Sequence, residues 1–277
     1  MSRLFNRTVR VEIEADGSLF EVADVRCQFQ CRKTRSDSPN ELTVRLFNLN
    51  EQTRRNAVKV GATVRLYAGY GEESVLLAQS QVTRSMIERT PPDIVIVLEC
   101  LDGIDELRKT RVSVSFDRNA TVRQAVDAVA ARLGRPVRPI DVNLSVPLRG
   151  GYTHVGGIAR ALDDLTARVG ATWSIQNGDL LILGPNGRVP GEVTLLTPDT
   201  GLLYSPEPVE DDTSTERQGG ETRHGWRLTA LLQPQIQPGD QVRVESADVN
   251  GVFVVDEIDH NGDTRGLNYT STMVVFE

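Results

Sequence analysis

One phrase occurs twice in this chain, once towards each end: Val60-Gly61-Ala62-Thr63-Val64-Arg65-Leu66 and Pro238-Gly239-Asp240-Gln241-Val242-Arg243-Val244. In both, a glycine free to adopt a turn conformation opens a strand of Val-Arg-aliphatic character. An apolar segment leads into each copy, Leu46-Phe47-Asn48-Leu49 into the first and Leu231-Leu232-Gln233-Pro234 into the second. A hydrophobic strand follows each within hairpin reach. The repeat implies one β-module used twice, a part copied for its geometry rather than a pocket built for chemistry.

Around the first copy the residues alternate with the period of two that half-buried strands require. Val9, Val11 and Ile13 alternate with charged residues, Asp16-Gly17 reads as a hairpin turn, and Phe20-Glu21-Val22 resumes the strand. Val25, Cys27, Phe29 and Cys31 alternate with Arg26, Gln28, Gln30 and Arg32, and Leu42, Val44 and Leu46 with Thr43 and Arg45. Asn50 is expected to cap a short helix over 51–58, and strands over 75–89 and 94–100 complete the unit. Six or so strands with one short helix fit a small antiparallel barrel or sandwich.

The middle of the chain has a different period. Thr121 precedes a helical face of Val122, Ala125, Val126, Val129 and Leu133 that stops at Gly134. A second helix is expected over 155–169, with Ile158, Leu162 and Leu165 inward and Gly170 as its stop. A hairpin about Asn177-Gly178 follows. Beyond Gly191 the β signal returns, interrupted by a proline-rich acidic segment from Ser205 to Asp212 and a polar stretch to Gly225, expected to be a solvated loop. Asn250-Gly251 and Asn261-Gly262 read as turns, and the last strand as 268–276. With 277 residues there is room for about two domains with their own cores. The pattern places a β domain at 1–109, an α/β domain at 110–190 and a second β domain at 191–277.

The longest apolar stretch, 94–98, falls far short of the roughly 18 residues a membrane span requires. The first residues lack the apolar run of a secretory signal, so folding in a cytoplasm is expected. The net charge of −7 argues against a general nucleic-acid footprint. Cys27, Cys31 and Cys100 are the only cysteines, and Cys27 and Cys31 fall on the apolar face of one strand, which suits packing better than a metal site or disulfide. No Gly-x-Ser-x-Gly elbow is present, and the pattern offers no catalytic residue. His154, after Gly150-Gly151-Tyr152-Thr153, is the most enzyme-like position, although a glycine-rich loop before a helix is the better explanation. Gly150, Gly151, Gly156 and Gly157 match neither a dinucleotide fingerprint nor a P-loop, so no cofactor is expected. Asp259, Asn261 and Asp263 resemble the start of a calcium loop, but the glutamate at the twelfth position is missing and a turn is the better reading. Asp211-Asp212 reads as surface charge, and Tyr67 and Tyr70 as packing residues rather than a base-stacking platform.

Two stretches carry a resemblance. The first is Asn40-Glu41-Leu42-Thr43-Val44-Arg45-Leu46-Phe47-Asn48-Leu49 followed by Gly61-Ala62-Thr63-Val64-Arg65-Leu66-Tyr67-Ala68-Gly69-Tyr70. The second is Leu231-Leu232-Gln233-Pro234 with Pro238-Gly239-Asp240, then Gly251-Val252-Phe253-Val254 and His260-Asn261-Gly262-Asp263-Thr264-Arg265-Gly266. Together they resemble the baseplate hub proteins of contractile-tailed bacteriophages, the late control protein D group among them.

The resemblance implies two tail-tube-like antiparallel β-barrel or sandwich domains flanking a small two-helix α/β domain. It implies a non-enzymatic homotrimer whose six similar modules form a pseudo-six-fold ring in the virion tail baseplate, assembled in the host cytoplasm. Such a ring joins the tail tube or distal tail protein to the central spike, meets the baseplate wedge proteins, and lines a channel for the tape-measure protein and then DNA, without specific DNA binding or membrane insertion. Two alternatives stay open on the residues alone. A tail-associated cell-wall hydrolase would need a cleft with opposed carboxylates or a metal set. A carbohydrate-binding tail-tip module would need exposed rings, and aromatics are only 5% of the chain.

Overall fold

The computed structural model describes residues 5–35, 38–57, 59–103, 107, 109–184, 187–189, 192–211 and 223–277. They fall into two compact units. One holds the residues up to Lys33, Glu41–Leu101 and the residues from 191 onward, and the other holds Thr34–Asn40 and Asp102–Pro190.

The first unit opens with β1 (Arg7–Ala15) and β2 (Ser18–Val22). Asp16 and Gly17 between them have φ of 50° and 75°, the double left-handed turn that matches strand twist. β3 (Cys27–Thr34), β4 (Glu41–Phe47), α1 (Glu51–Ala57), β5 (Thr63–Tyr70), β6 (Glu73–Thr90) and β7 (Asp93–Leu101) follow. Asn50 caps α1 as expected, its Oδ1 accepting from the Thr53 N–H at 2.8 Å. The inward positions Ile13, Cys31, Val44, Leu46, Val64, Leu66 and Leu98 are fully buried, each contributing about 1.5–3 kcal/mol through loss of contact with water.

The second unit contains β8 (Arg111–Phe116), α2 (Val122–Ala130), β9 (Val137–Ile140), β10 (Tyr152–Gly157), α3 (Ile158–Ala167), β11 (Thr172–Gln176) and β12 (Asp179–Leu183). Both helices turn an apolar stripe inward: Val122, Ala125, Val126 and Val129 from α2, and Ile158, Ala161, Leu162 and Leu165 from α3. Thr121 and Gln124 form a capping box: Thr121 Oγ1 accepts from the Gln124 N–H at 3.3 Å, and Gln124 Oε1 accepts from the Thr121 N–H at 2.9 Å. Thr121→Ala is expected to cost about 1 kcal/mol; an unchanged urea midpoint would show that the box contributes nothing. The Asn177-Gly178 hairpin forms as expected, with φ of 50° and 99°. The expected helix over 155–169 begins late, because residues up to Gly157 form β10 against β8, with Val155 opposite Ser113. Gly156 and Gly157 are poor helix formers, and an available strand partner decides their conformation.

The first unit resumes with β13 (Thr194–Leu196), a short 3-10 turn at Pro198–Thr200, β14 (Glu207–Asp211), β15 (Arg223–Leu231), β16 (Gln241–Glu245), β17 (Asn250–Asp263) and β18 (Tyr269–Phe276). β14 corrects the expected solvated loop. Proline is tolerated on an edge strand, and Pro208 lies opposite Trp226 in an antiparallel pair; residues 212–222 lie outside the described residues. Asn261-Gly262 is likewise no turn but part of β17. A Cβ at Gly262 would overlap the Phe29 ring, so the glycine serves close packing.

The architecture is mainly β with an α/β insert, as expected. One sheet of 13 strands runs β14-β15-β18-β17-β3-β4-β7-β6-β5-β1-β2, with β16 and β13 branching from β17. Its ends, β14 and β2, do not meet, so among the described strands the sheet is open and no barrel closes.

The two copies of the glycine phrase have the same geometry. Gly61 and Gly239 have φ of 88° and 94° and open β5 and β16. The Gly61 N–H donates to the Val82 carbonyl at 2.8 Å, and the Val82 N–H returns a bond to Ala62 at 2.9 Å. The Gly239 N–H donates to the Val255 carbonyl at 2.7 Å, and the Val255 N–H returns one to Asp240 at 2.9 Å. A register shift follows each valine, between Val82 and Arg84 and between Val255 and Glu257. The strand orders correspond as well, β4-β7-β6-β5 in one copy and β15-β18-β17-β16 in the other.

Candidate assembly surface

The two copies meet where β3 lies beside β17. Outward side chains pair across this junction in antiparallel order. Arg32 Nε donates to Glu257 at 2.6 Å, Gln30 Nε2 to Asp259 at 3.0 Å, and Gln28 Nε2 to Asp263 at 2.8 Å. Beyond the end of β17, the Thr264 N–H bonds the Cys27 carbonyl and the Cys27 N–H bonds Thr264 Oγ1, both at 3.0 Å. Asp263 also pairs with Arg26 at 2.8 Å. Burial alone would raise the pKa of this carboxyl, but hydrogen bonds from Arg26, Gln28 and the Arg265 N–H outweigh burial and hold it below the usual carboxylate range.

The loop after β17 is fixed from the other side. Arg7, at the start of β1, donates to the carbonyls of Asp263, Gly266 and Leu267. Tyr269, the first residue of β18, enters the core of the first copy at 1% exposure. Its ring meets Tyr70 edge-on at 5.3 Å and Phe29 at 6.2 Å. Its hydroxyl lies 3.0 Å from the Thr8 carbonyl and 2.9 Å from that of Gly69, and accepts from the Gly69 N–H at 3.2 Å.

A buried polar node lies behind the junction. Lys33 and His260 are both 0% exposed. Lys33 Nζ donates to the Leu77 carbonyl and to Gln237 Oε1, while His260 Nδ1 lies 2.8 Å from Ser271 Oγ. Ser271 Oγ also accepts from the Gln233 N–H at 2.9 Å. Burial, reinforced by Lys33, lowers the His260 pKa to about 3. The segment between β15 and β16 is thereby held at Gln233 and at Gln237.

The other positions weighed from sequence fall into packing roles. Cys27, Cys31 and Cys100 are buried thiols in no disulfide, and burial pushes those of Cys27 and Cys100 up to about 12, far from thiolate chemistry. His154 donates from Nε2 to the Gly157 carbonyl at 3.1 Å and stacks on Tyr152. Asp259, Asn261 and Asp263 stand in strand β17, where Asp259 and Asp263 accept from Gln30 and Gln28 of β3, so strand and junction contacts replace the calcium-loop likeness. Tyr67 lies under Arg10, and Tyr70 packs on Tyr269. Asp211 closes β14, and Asp212 lies outside the described residues. Sequence reasoning missed Tyr269, Arg7 and Lys33, whose partners lie far along the chain and leave no local pattern.

The fold of the chain is shared with several solved structures. A 43 kDa tail protein of prophage MuSo2 from Shewanella oneidensis shares it at a TM-score of 0.68 and 13% identity, over 96% of each chain. The tail protein from Neisseria meningitidis MC58 shares it at 0.69 and 10% identity, over 99% of this chain and 97% of that one. The E. coli c3393 protein, a type VI secretion component with structural similarity to the T4 tail proteins gp27 and gp5, matches at 0.61 and 12% identity, over 96% of this chain and 76% of its own. A comparison with curated proteins gives no match. The family described as Baseplate hub gp41 matches residues 8–275, and the chain belongs to that family. It is a structural component of the virion tail baseplate.

Proposed function

We propose that the chain acts as a non-enzymatic symmetry adaptor: a homotrimer whose six β modules form a pseudo-six-fold ring between the tail tube or distal tail protein and the central spike. The modules correspond to 1–109 and 191–277, with 110–190 as a separate α/β domain between them in sequence. The observation that carries this reading is the matched order β4-β7-β6-β5 and β15-β18-β17-β16 with its matched glycine turns and bulges. Two such modules per chain turn a three-fold object into one with six similar faces without a new fold. The ring would enclose a channel for the tape-measure protein and then DNA, and a net charge of −7 suits passage of phosphate without adhesion. Wedge proteins would bind outside the ring, and assembly would take place in the host cytoplasm. Light scattering after size exclusion, with and without the spike protein, tests this: a mass of three times the 30.5 kDa chain is expected. A monomer in both cases would contradict it.

A further inference from the structure

The internal match of the two modules exposes a missing partner. In the second module, β17 beyond its bulge has β18 on one side and β3 of the first module on the other. In the first module the counterpart of that segment is β6 beyond Val82. It has β7 on one side, while β5 pairs with β6 only up to Gln81, so residues 83–90 have no strand on the other side among those described. Exposure follows the difference: His260 is 0% exposed, and its counterpart Ile87 is 41% exposed.

The counterpart of β3 also has an open side among the described strands. β3 precedes β4 in the chain and pairs with it, and β14 precedes β15 and pairs with it. The far side of β3 meets β17, whereas β14 ends the sheet. We propose that β14 of one copy adds antiparallel to residues 83–90 of β6 in the next copy, repeating between chains the junction that β3 and β17 make within one. This rests on the ring reading above, and it names the contact that builds the ring.

The registers fix the residues. Arg84 and Glu257 are the first paired residues after the two bulges, opposite Glu99 and Val274. Those two lie opposite Thr43 and Arg227, which in turn lie opposite Gln30 and Glu207. Glu207 therefore stands for Gln30 and Val209 for Arg32. The Arg32–Glu257 pair of one chain becomes Val209 against Arg84 of the next copy, and Gln30–Asp259 becomes Glu207 against Met86. In this register Glu207 stands diagonal to both Arg84 and Glu88, so the matched registers and the two open edges, rather than net charge, carry the contact. The contact is heterologous, so it generates a ring or filament rather than a two-fold dimer.

Disulfide trapping tests the contact. Val209→Cys and Arg84→Cys chains, each labelled by a different tag, are mixed and oxidised, with Glu207→Cys and Met86→Cys as a second pair should the first fail to fold. Mixed covalent dimers are expected from each mixture and not from either variant alone, because directly opposed strand residues fall within disulfide range. Met86→Asp, directly opposite Glu207, is expected to weaken association by about tenfold or more with unchanged far-ultraviolet dichroism. An oligomer by light scattering without mixed dimers, or cross-linking of Arg84→Cys to itself, overturns this contact and leaves the ring reading standing. A strict monomer, with and without the spike protein, overturns both.

Discussion

Replacing Tyr269 by alanine is expected to cost about 3–5 kcal/mol of folding stability, the range for removing a large buried ring. The ring is 1% exposed and fills the space between Phe29 and Tyr70, so little can collapse into the cavity. Its hydroxyl is also the partner of the Gly69 N–H and of the Thr8 and Gly69 carbonyls. Tyr269→Phe separates the two contributions: it keeps the ring, removes the hydroxyl, and is expected to cost about 1–3 kcal/mol for polar groups left unmatched. Urea unfolding of the purified chain measures both. A loss under about 1 kcal/mol for the alanine variant would mean that β18 does not anchor the second module in the core of the first.

Acid is expected to weaken the fold well before the carboxylates titrate. His260 is buried with its Nδ1 on Ser271, and burial beside Lys33 holds its pKa to about 3 against an unfolded value near 6.5. Between those values the unfolded chain binds a proton that the folded chain refuses, so this contribution is complete above pH 6.5 and is lost as the pH falls towards 3. About 2–3 kcal/mol is expected to disappear between pH 7.5 and 4.5. Asp240 works in the opposite direction, since burial raises its pKa, while Asp263 adds a further loss as the pH falls through the usual carboxylate value and below. His260→Asn keeps an acceptor for Ser271 but cannot titrate, and its stability is expected to change much less over the same interval. Equal losses in the two proteins would assign the acid effect to other groups.

Local features of the sequence specified local structure well. Asn50 ahead of α1, Asn177-Gly178 in its hairpin, and Gly61 and Gly239 at their strand openings behave as the chemistry of those residue types dictates. The failures came where a distant partner overrode a local preference. Residues 155–157 have helical neighbours but take β8 as a strand partner. Glu207–Asp211 read as a loop until β15 lies beside it. Asn261-Gly262 has the composition of a turn, yet Phe29 packs against Gly262 and the strand continues through it.

The surface was legible to the same degree. The repeated phrase announced two modules, while the residues that bind them together could not be read from spacing. Lys33 follows an alternating strand with nothing in its neighbours to mark it, and it is buried against Leu77 and Gln237. Arg7 stands at the start of the chain and serves a loop some 260 residues later. Such contacts have no periodicity, and only the closed fold reveals them.

The most direct measurement is an electron-microscopy reconstruction of the assembled tail tip with this chain fitted into it. Three copies forming a ring of six modules at the junction of tube and spike, with an open channel along the axis, are expected. Density for this chain away from that junction, or a ring in which the two modules of one chain do not occupy equivalent positions, would contradict the account.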